Sequence, residues 1–193
     1  VTLMPGFTYT PYPDLDAEER AIERKFAVGL AVDLERAAVR YRNQFANVLD
    51  RNNVQELSAD YAESRESRQR WSVATLEPAG AFIDWYFARI LSEAKPGDTV
   101  VFNAGGQGSG KTTASESTRV RSNAIAVMDG TLQNYWRSRE HFQAAFAAGC
   151  PVELRFIHSD WIQAVRNMVH RAIEGSGRIV PLCRAAGGQV SYL

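Results

Sequence analysis

Four glycines within six positions, Gly105, Gly106, Gly108 and Gly110, run directly into Lys111, Thr112 and Thr113. The spacing meets G-x-x-x-x-G-K-[ST] at every fixed position, with Gln107 and Ser109 among the four free ones. Glycine lets the backbone turn tightly enough to aim several N–H groups at one point. A helix N-terminus behind such a turn adds about half a positive charge. That cradle suits a phosphate chain: the Lys111 ammonium reaches the β- and γ-phosphates and the Thr112 hydroxyl holds Mg²⁺. Lysine is scarce here, with Lys25, Lys95 and Lys111 set against nineteen arginines, so its occurrence at the one required position is informative. The expected ligand is ATP or GTP with Mg²⁺, held by residues 105–113; the competing reading is a tight glycine turn with an incidental lysine.

Asp129 is the second chemical residue. It directly follows the apolar run Ala124-Ile125-Ala126-Val127-Met128, at the carboxyl edge where open α/β sheets bind ligands. A carboxylate there holds Mg²⁺ through water or accepts a proton from an acceptor hydroxyl; alternatively, Asp129 or Thr131 simply caps the next helix. Arg166, Arg171 and Arg178 form a third group, around Gly175-Ser176-Gly177. Cations there would neutralise charge on a moving phosphoryl group, although Arg166 and Arg171 point to different sides of one helix and surface arginine is the plain alternative. Other chemistries lack their signatures. No G-x-S-x-G elbow or H-E-x-x-H occurs, Cys150 has no evident base, and the dinucleotide fingerprint fails at Lys111. Cys150 and Cys183 lack metal or disulfide spacing, and His141, His158 and His170 are scattered.

The elements that must position these residues follow from periodicity. Thr99–Phe102 reads as a buried strand into the glycine loop and Thr113–Ser117 as the first turns of a helix leading out. Further strands are expected at 124–128 and 151–157. Helices are expected at 131–148, burying Leu132, Tyr135, Phe142 and Phe146, and from the Asp160 cap to 173. Residues 179–193 are too short and mixed to assign. Ahead of this core, residues 1–13 read as an extended arm. One long amphipathic helix is expected at 17–50, with Asp16 as its cap and Gly29 a tolerated weak point, then helices at 58–71 and 78–94. Alternating strands and helices imply an α/β fold: a P-loop NTPase-like parallel sheet flanked by helices (98–193) with an N-terminal helical extension (1–97).

Formal net charge is zero and the arginines are interleaved with acids, so no nucleic-acid partner is expected. No apolar run approaches the roughly 18 residues that cross a bilayer. The first residues show neither a basic stretch nor a long apolar one, so no secretory signal is expected, and Cys150 and Cys183, read as reduced structural thiols, point to a cytoplasmic setting.

The run Val100-Val101-Phe102-Asn103-Ala104-Gly105 through Thr113 resembles the phosphate loop of zeta-toxin-type kinases. The likeness extends to Val127-Met128-Asp129-Gly130-Thr131, to Ala164-Val165-Arg166-Asn167-Met168-Val169-His170-Arg171 and to Gly177-Arg178-Ile179-Val180-Pro181. Tyr61-Ala62-Glu63-Ser64 and Leu76-Glu77-Pro78 resemble lead-in helices of some bacterial members, so the likeness covers about 58–185. It implies an ATP- or GTP-dependent small-molecule kinase acting on a sugar hydroxyl of a nucleotide-linked metabolite, UDP-N-acetylglucosamine or an NAD-like one. In that frame Lys111 and Thr112 handle triphosphate and Mg²⁺, and Asp129 is the general base. Arg171 and Arg178 stabilise the phosphoryl group, and Thr131 and Arg166 contact the acceptor. The resemblance further implies a protein antitoxin as a possible partner, action in the cytoplasm of the producing or a target cell, and a core continuing past Pro181. Two alternatives stand beside it: a P-loop NTP hydrolase, and a non-catalytic nucleotide-binding interaction module.

Overall fold

The Asp16 carboxylate accepts a hydrogen bond from Glu19 N at 2.8 Å while the Glu19 carboxylate accepts from Asp16 N at 3.0 Å, a reciprocal capping box. These hydrogen bonds satisfy N–H groups that a helix start leaves open, and α1 (Ala17–Val32) follows. The structure is a computed structural model that describes residues 1–106, 108–111, 123–132 and 134–173. The chain divides into two units: Val1–Ala46 with Asp50–Phe87, and Asn47–Leu49 with the described residues from Ala88 onward.

The single helix expected over 17–50 is broken, at Asp33 rather than Gly29. Asp33 leaves helical geometry (φ −154°, ψ 80°) and its carboxylate accepts from Arg36 N at 3.0 Å, so it caps α2 (Leu34–Phe45). Aspartate competes with the helix for backbone N–H groups, and here that competition starts a new helix. Ala46, in left-handed geometry at φ 53°, then ends α2. A two-stranded ribbon, β1 (Thr2–Met4) with β2 (Phe7–Thr8), replaces part of the expected arm. The expected 58–71 helix is two pieces among short helices α3 (Arg51–Gln55), α4 (Ala59–Ala62) and α5 (Arg65–Arg70), because Ser64 caps a second start by accepting from Ser67 N at 3.0 Å. Two of its arginines are paired: Arg68 donates to both Glu56 carboxylate oxygens, and Arg70 bridges Asp16 and Glu18. α6 (Leu76–Ser92) begins two residues before Pro78.

Tyr41 anchors the helical unit. It is fully buried against Phe82 and Tyr86, with ring centroids 5.8 Å apart in each case. Its hydroxyl accepts from Asp50 N at 3.0 Å and donates to Asp50 O at 3.3 Å. Tyr41→Phe therefore strands the Asp50 N–H, while Asp50 O keeps its bonds from Asn53 N and Val54 N, and chemical denaturation should register a loss of about 1–3 kcal/mol. Burial, the largest cause, also drives the Tyr41 phenol far above its ordinary pKa. A raised pKa means the fold favours the protonated form. The stabilisation is complete below the ordinary value of about 10 and is lost as pH rises past it, a loss Tyr41→Phe should not share.

The second unit holds a four-stranded sheet in the order β3-β5-β4-β6, parallel throughout. Its strands are β3 (Val48–Leu49), β4 (Thr99–Ala104), β5 (Ala124–Asp129) and β6 (Val152–Phe156). Three were expected; the fourth, β3, comes from residues assigned to the long helix. Val48, Val101 and Val127 pack as one buried cluster, and central β4 is buried along nearly its whole length. α7 (Tyr135–Ala147) ends at Gly149 (φ 73°), and α8 (Trp161–Ile173) follows β6. Of the residues expected to bury on α7, Phe142 stacks on Phe102 at 4.1 Å, whereas Tyr135 and Phe146 are more than 60% exposed. Fully buried Ala145 and the Phe142–Phe102 stack fix the helix rotation and turn Phe146 outward. Among the described residues no helix is long and apolar enough to cross a membrane.

Candidate functional site

β4 runs out at Ala104 and the glycine loop begins at the next residue. Three loop glycines take positive φ: Gly105 at 150°, Gly108 at 75° and Gly110 at 91°. Two are also pinned sterically. A Cβ on Gly105 would lie 2.1 Å from Ile157 O, and one on Gly108 would lie 2.4 Å from Ala164 O. Both obstacles are backbone atoms, so the segment just after β6, for Gly105, or the helix Trp161–Ile173, for Gly108, would have to move. Gly110 has open space above it, and there only the backbone conformation asks for glycine. Gly108→Ala should accordingly cost about 1–3 kcal/mol of stability or more, and weaken phosphate binding with it. Urea titration with and without nucleotide separates the two effects.

The loop is tied from both sides. Lys111 Nζ donates to Gly105 O at 2.8 Å and to Gly106 O at 2.7 Å, so the ammonium lies against the loop backbone. On the other side Asn167 of α8 donates from Nδ2 to Gly108 O at 2.7 Å. Asp160 caps α8, accepting from Ile162 N at 2.9 Å. That start places Ala164 and Asn167, three residues apart, on the row facing Gly108. The Ser109 hydroxyl is buried with no hydrogen-bond partner among the described residues. An unmet buried hydroxyl costs about 1–3 kcal/mol, and an anionic oxygen seated in the loop would relieve it. Glycines required by backbone geometry, a loop-facing ammonium and an open hydroxyl donor all fit a phosphate chain.

Asp129 ends β5, half-buried, in register with Asn103 of neighbouring β4. Gly130 N donates to Asn103 O at 3.2 Å, which ties the strand end carrying Asp129 to the strand feeding the loop. Across β4, Asn103 is also in register with Arg155 of β6. The sheet order reverses about β4, since β5 lies on one side and β6 on the other, and such switch points are where α/β sheets take ligands. The capping alternative for Asp129 and Thr131 fails. Asn134 caps α7, its Oδ1 accepting from Arg137 N at 3.1 Å, and Leu132 (φ 51°) breaks the backbone before it. Thr131 is half-buried beside Asp129, and Arg166 is exposed. Arg171 lies within α8. Gln107, Thr112, Thr113 and Arg178 fall outside the described residues, so the expected Mg²⁺ ligand does too. Among the described residues no cluster of three His, Cys, Asp or Glu could hold a metal. Cys150 is buried, and burial raises its thiol pKa, as suits an inert reduced cysteine.

Sequence reasoning gave no role to Asn103, Ala164 or Asn167. The usable signal lay in 160, 164 and 167, which share one helix row behind a capping aspartate. Compared with models of known families and with curated proteins, the chain matches none.

Proposed function

We propose that the chain is a P-loop phosphotransferase. It binds ATP or GTP on residues 105–113 and passes the γ-phosphoryl to a hydroxyl of a nucleotide-linked metabolite, of the UDP-N-acetylglucosamine or NAD kind. The observation that carries this reading is the register of Asp129 with Asn103, two residues before the glycine loop, on adjacent parallel strands. A proton acceptor and a phosphate cradle thus leave the sheet at one edge.

In this reading Lys111 releases the Gly105 and Gly106 carbonyls and turns to the β- and γ-phosphates. Asp129 takes the proton of the acceptor hydroxyl as its oxygen bonds to the γ-phosphorus and the β–γ bridging bond breaks, leaving the nucleoside diphosphate. Bound Mg²⁺, for which Thr112 is the proposed ligand, would offset charge on the triphosphate. Arg171 and Arg178 are assigned to the transferring phosphoryl, and Thr131 and Arg166 to the acceptor. The zeta-toxin-type likeness supports this division of roles and adds a protein inhibitor as a partner to seek. The test is to follow γ-labelled ATP or GTP into a pool of nucleotide sugars and dinucleotides. Label in an organic phosphate monoester supports the proposal; label released only as free phosphate makes the chain a hydrolase.

A further inference from the structure

Two costly features meet in one groove of the helical unit. Gly29 stands inside α1, where glycine is about 0.5–1 kcal/mol less stable than alanine. A Cβ at Gly29 would meet nothing within 4 Å, so packing within this chain does not demand glycine. Arg36 and Arg40 lie one turn apart on α2, both exposed and neither in a salt bridge among the described residues. Like charges at that spacing destabilise a helix by about 0.2–0.5 kcal/mol. The fold needs neither feature, yet both line the same hollow of about 340 Å³ beside the α1–α2 break at Asp33.

The groove's chemistry is uneven. Phe26, Leu30 and Leu57 give it a buried apolar lining, and Val32, 79% exposed, extends that surface outward. Its two carboxylates are engaged: Asp33 caps α2, and Asp60 pairs with Lys25 at 2.8 Å. Lys25, Arg36 and Arg40 against Asp33 and Asp60 leave the lining one net positive charge, with Arg36 and Arg40 as its cations outside a salt bridge. We infer that this groove docks an acidic peptide segment of a partner protein. One aromatic or long aliphatic side chain enters over Gly29, where the missing side chain makes room, and two carboxylates pair with Arg36 and Arg40. A bilayer or a nucleic acid would call for a broad cationic surface, whereas this chain has zero net charge and two unpaired cations beside a pocket suited to one side chain.

The test is selection of displayed random dodecapeptides on the full chain, with counter-selection on Gly29→Phe, which fills the hollow and removes a helix-weakening glycine. The double reversal Arg36→Glu/Arg40→Glu, on exposed positions, covers the case in which Gly29→Phe folds poorly. Enriched peptides should carry an apolar anchor with two or more acids. By fluorescence anisotropy they should lose roughly tenfold or more in affinity for either variant and weaken as salt rises. Enrichment of no peptide, of neutral or basic peptides, or of peptides indifferent to both variants overturns the assignment. So does binding of phosphatidylserine vesicles or short duplex DNA that both variants abolish. Neither variant touches the phosphate loop, so nucleotide binding and transfer should be unchanged.

Discussion

Lys111→Met should erase the nucleotide-dependent stabilisation of this protein. In the free chain the ammonium gives two hydrogen bonds to loop carbonyls, at 2.8 and 2.7 Å. In the proposed nucleotide complex it would exchange them for charged phosphate oxygens, and hydrogen bonds to charged groups are worth about 1.5–3 kcal/mol each. Removing two such bonds predicts an affinity loss of about 100-fold or more. Because the same bonds tie the empty loop, the variant should also melt at a lower temperature without ligand. The informative quantity is thus the increment on adding Mg-ATP or Mg-GTP. At 100 times Kd the parent should gain about 2.7 kcal/mol and the variant almost nothing. An equal increment in both proteins would mean that the nucleotide sits elsewhere.

Asp129→Asn should separate binding from chemistry. Asparagine keeps the shape at the end of β5 but cannot take a proton from an acceptor hydroxyl. Loss of a positioned general base lowers transfer by about 10²–10⁴-fold. The loop and Lys111 are untouched, so nucleotide affinity should stay within a few-fold of the parent. Isothermal titration for binding and steady-state kinetics with the acceptor for transfer make the comparison. Full transfer by Asp129→Asn would remove the assigned base. Lost transfer together with lost nucleotide binding would make Asp129 a structural support of the loop.

The parts legible in the sequence were those set by local rules. Four glycines and a lysine define a turn whose backbone requirements are local, and three of those glycines adopt positive φ. The alternating strands that set β4 beside β5 were legible because long apolar runs announce buried parallel strands. What was hidden depended on competition or on distance along the chain. Asp33 was read as part of a helix because the apolar stripe continues past it, yet its carboxylate favours a cap. Val48–Leu49 is too short to announce a strand and acquires that identity only by pairing with Val127 and Met128, far along the chain. The tilt of α7 was settled by Ala145 and the Phe142–Phe102 stack, neither of which a hydrophobic count would weigh above Phe146. Asn167 was invisible as a loop support because its partner, Gly108 O, is a backbone atom distant in sequence.

The central claim is that the glycine loop from Gly105 to Lys111 receives a nucleoside triphosphate. Isothermal titration of the folded chain with ATP and with GTP, each with Mg²⁺, tests it most directly. One nucleotide should bind the parent at a single site with measurable heat, and Lys111→Met should leave a flat trace. A flat trace from folded parent protein with both nucleotides would contradict the account at its base.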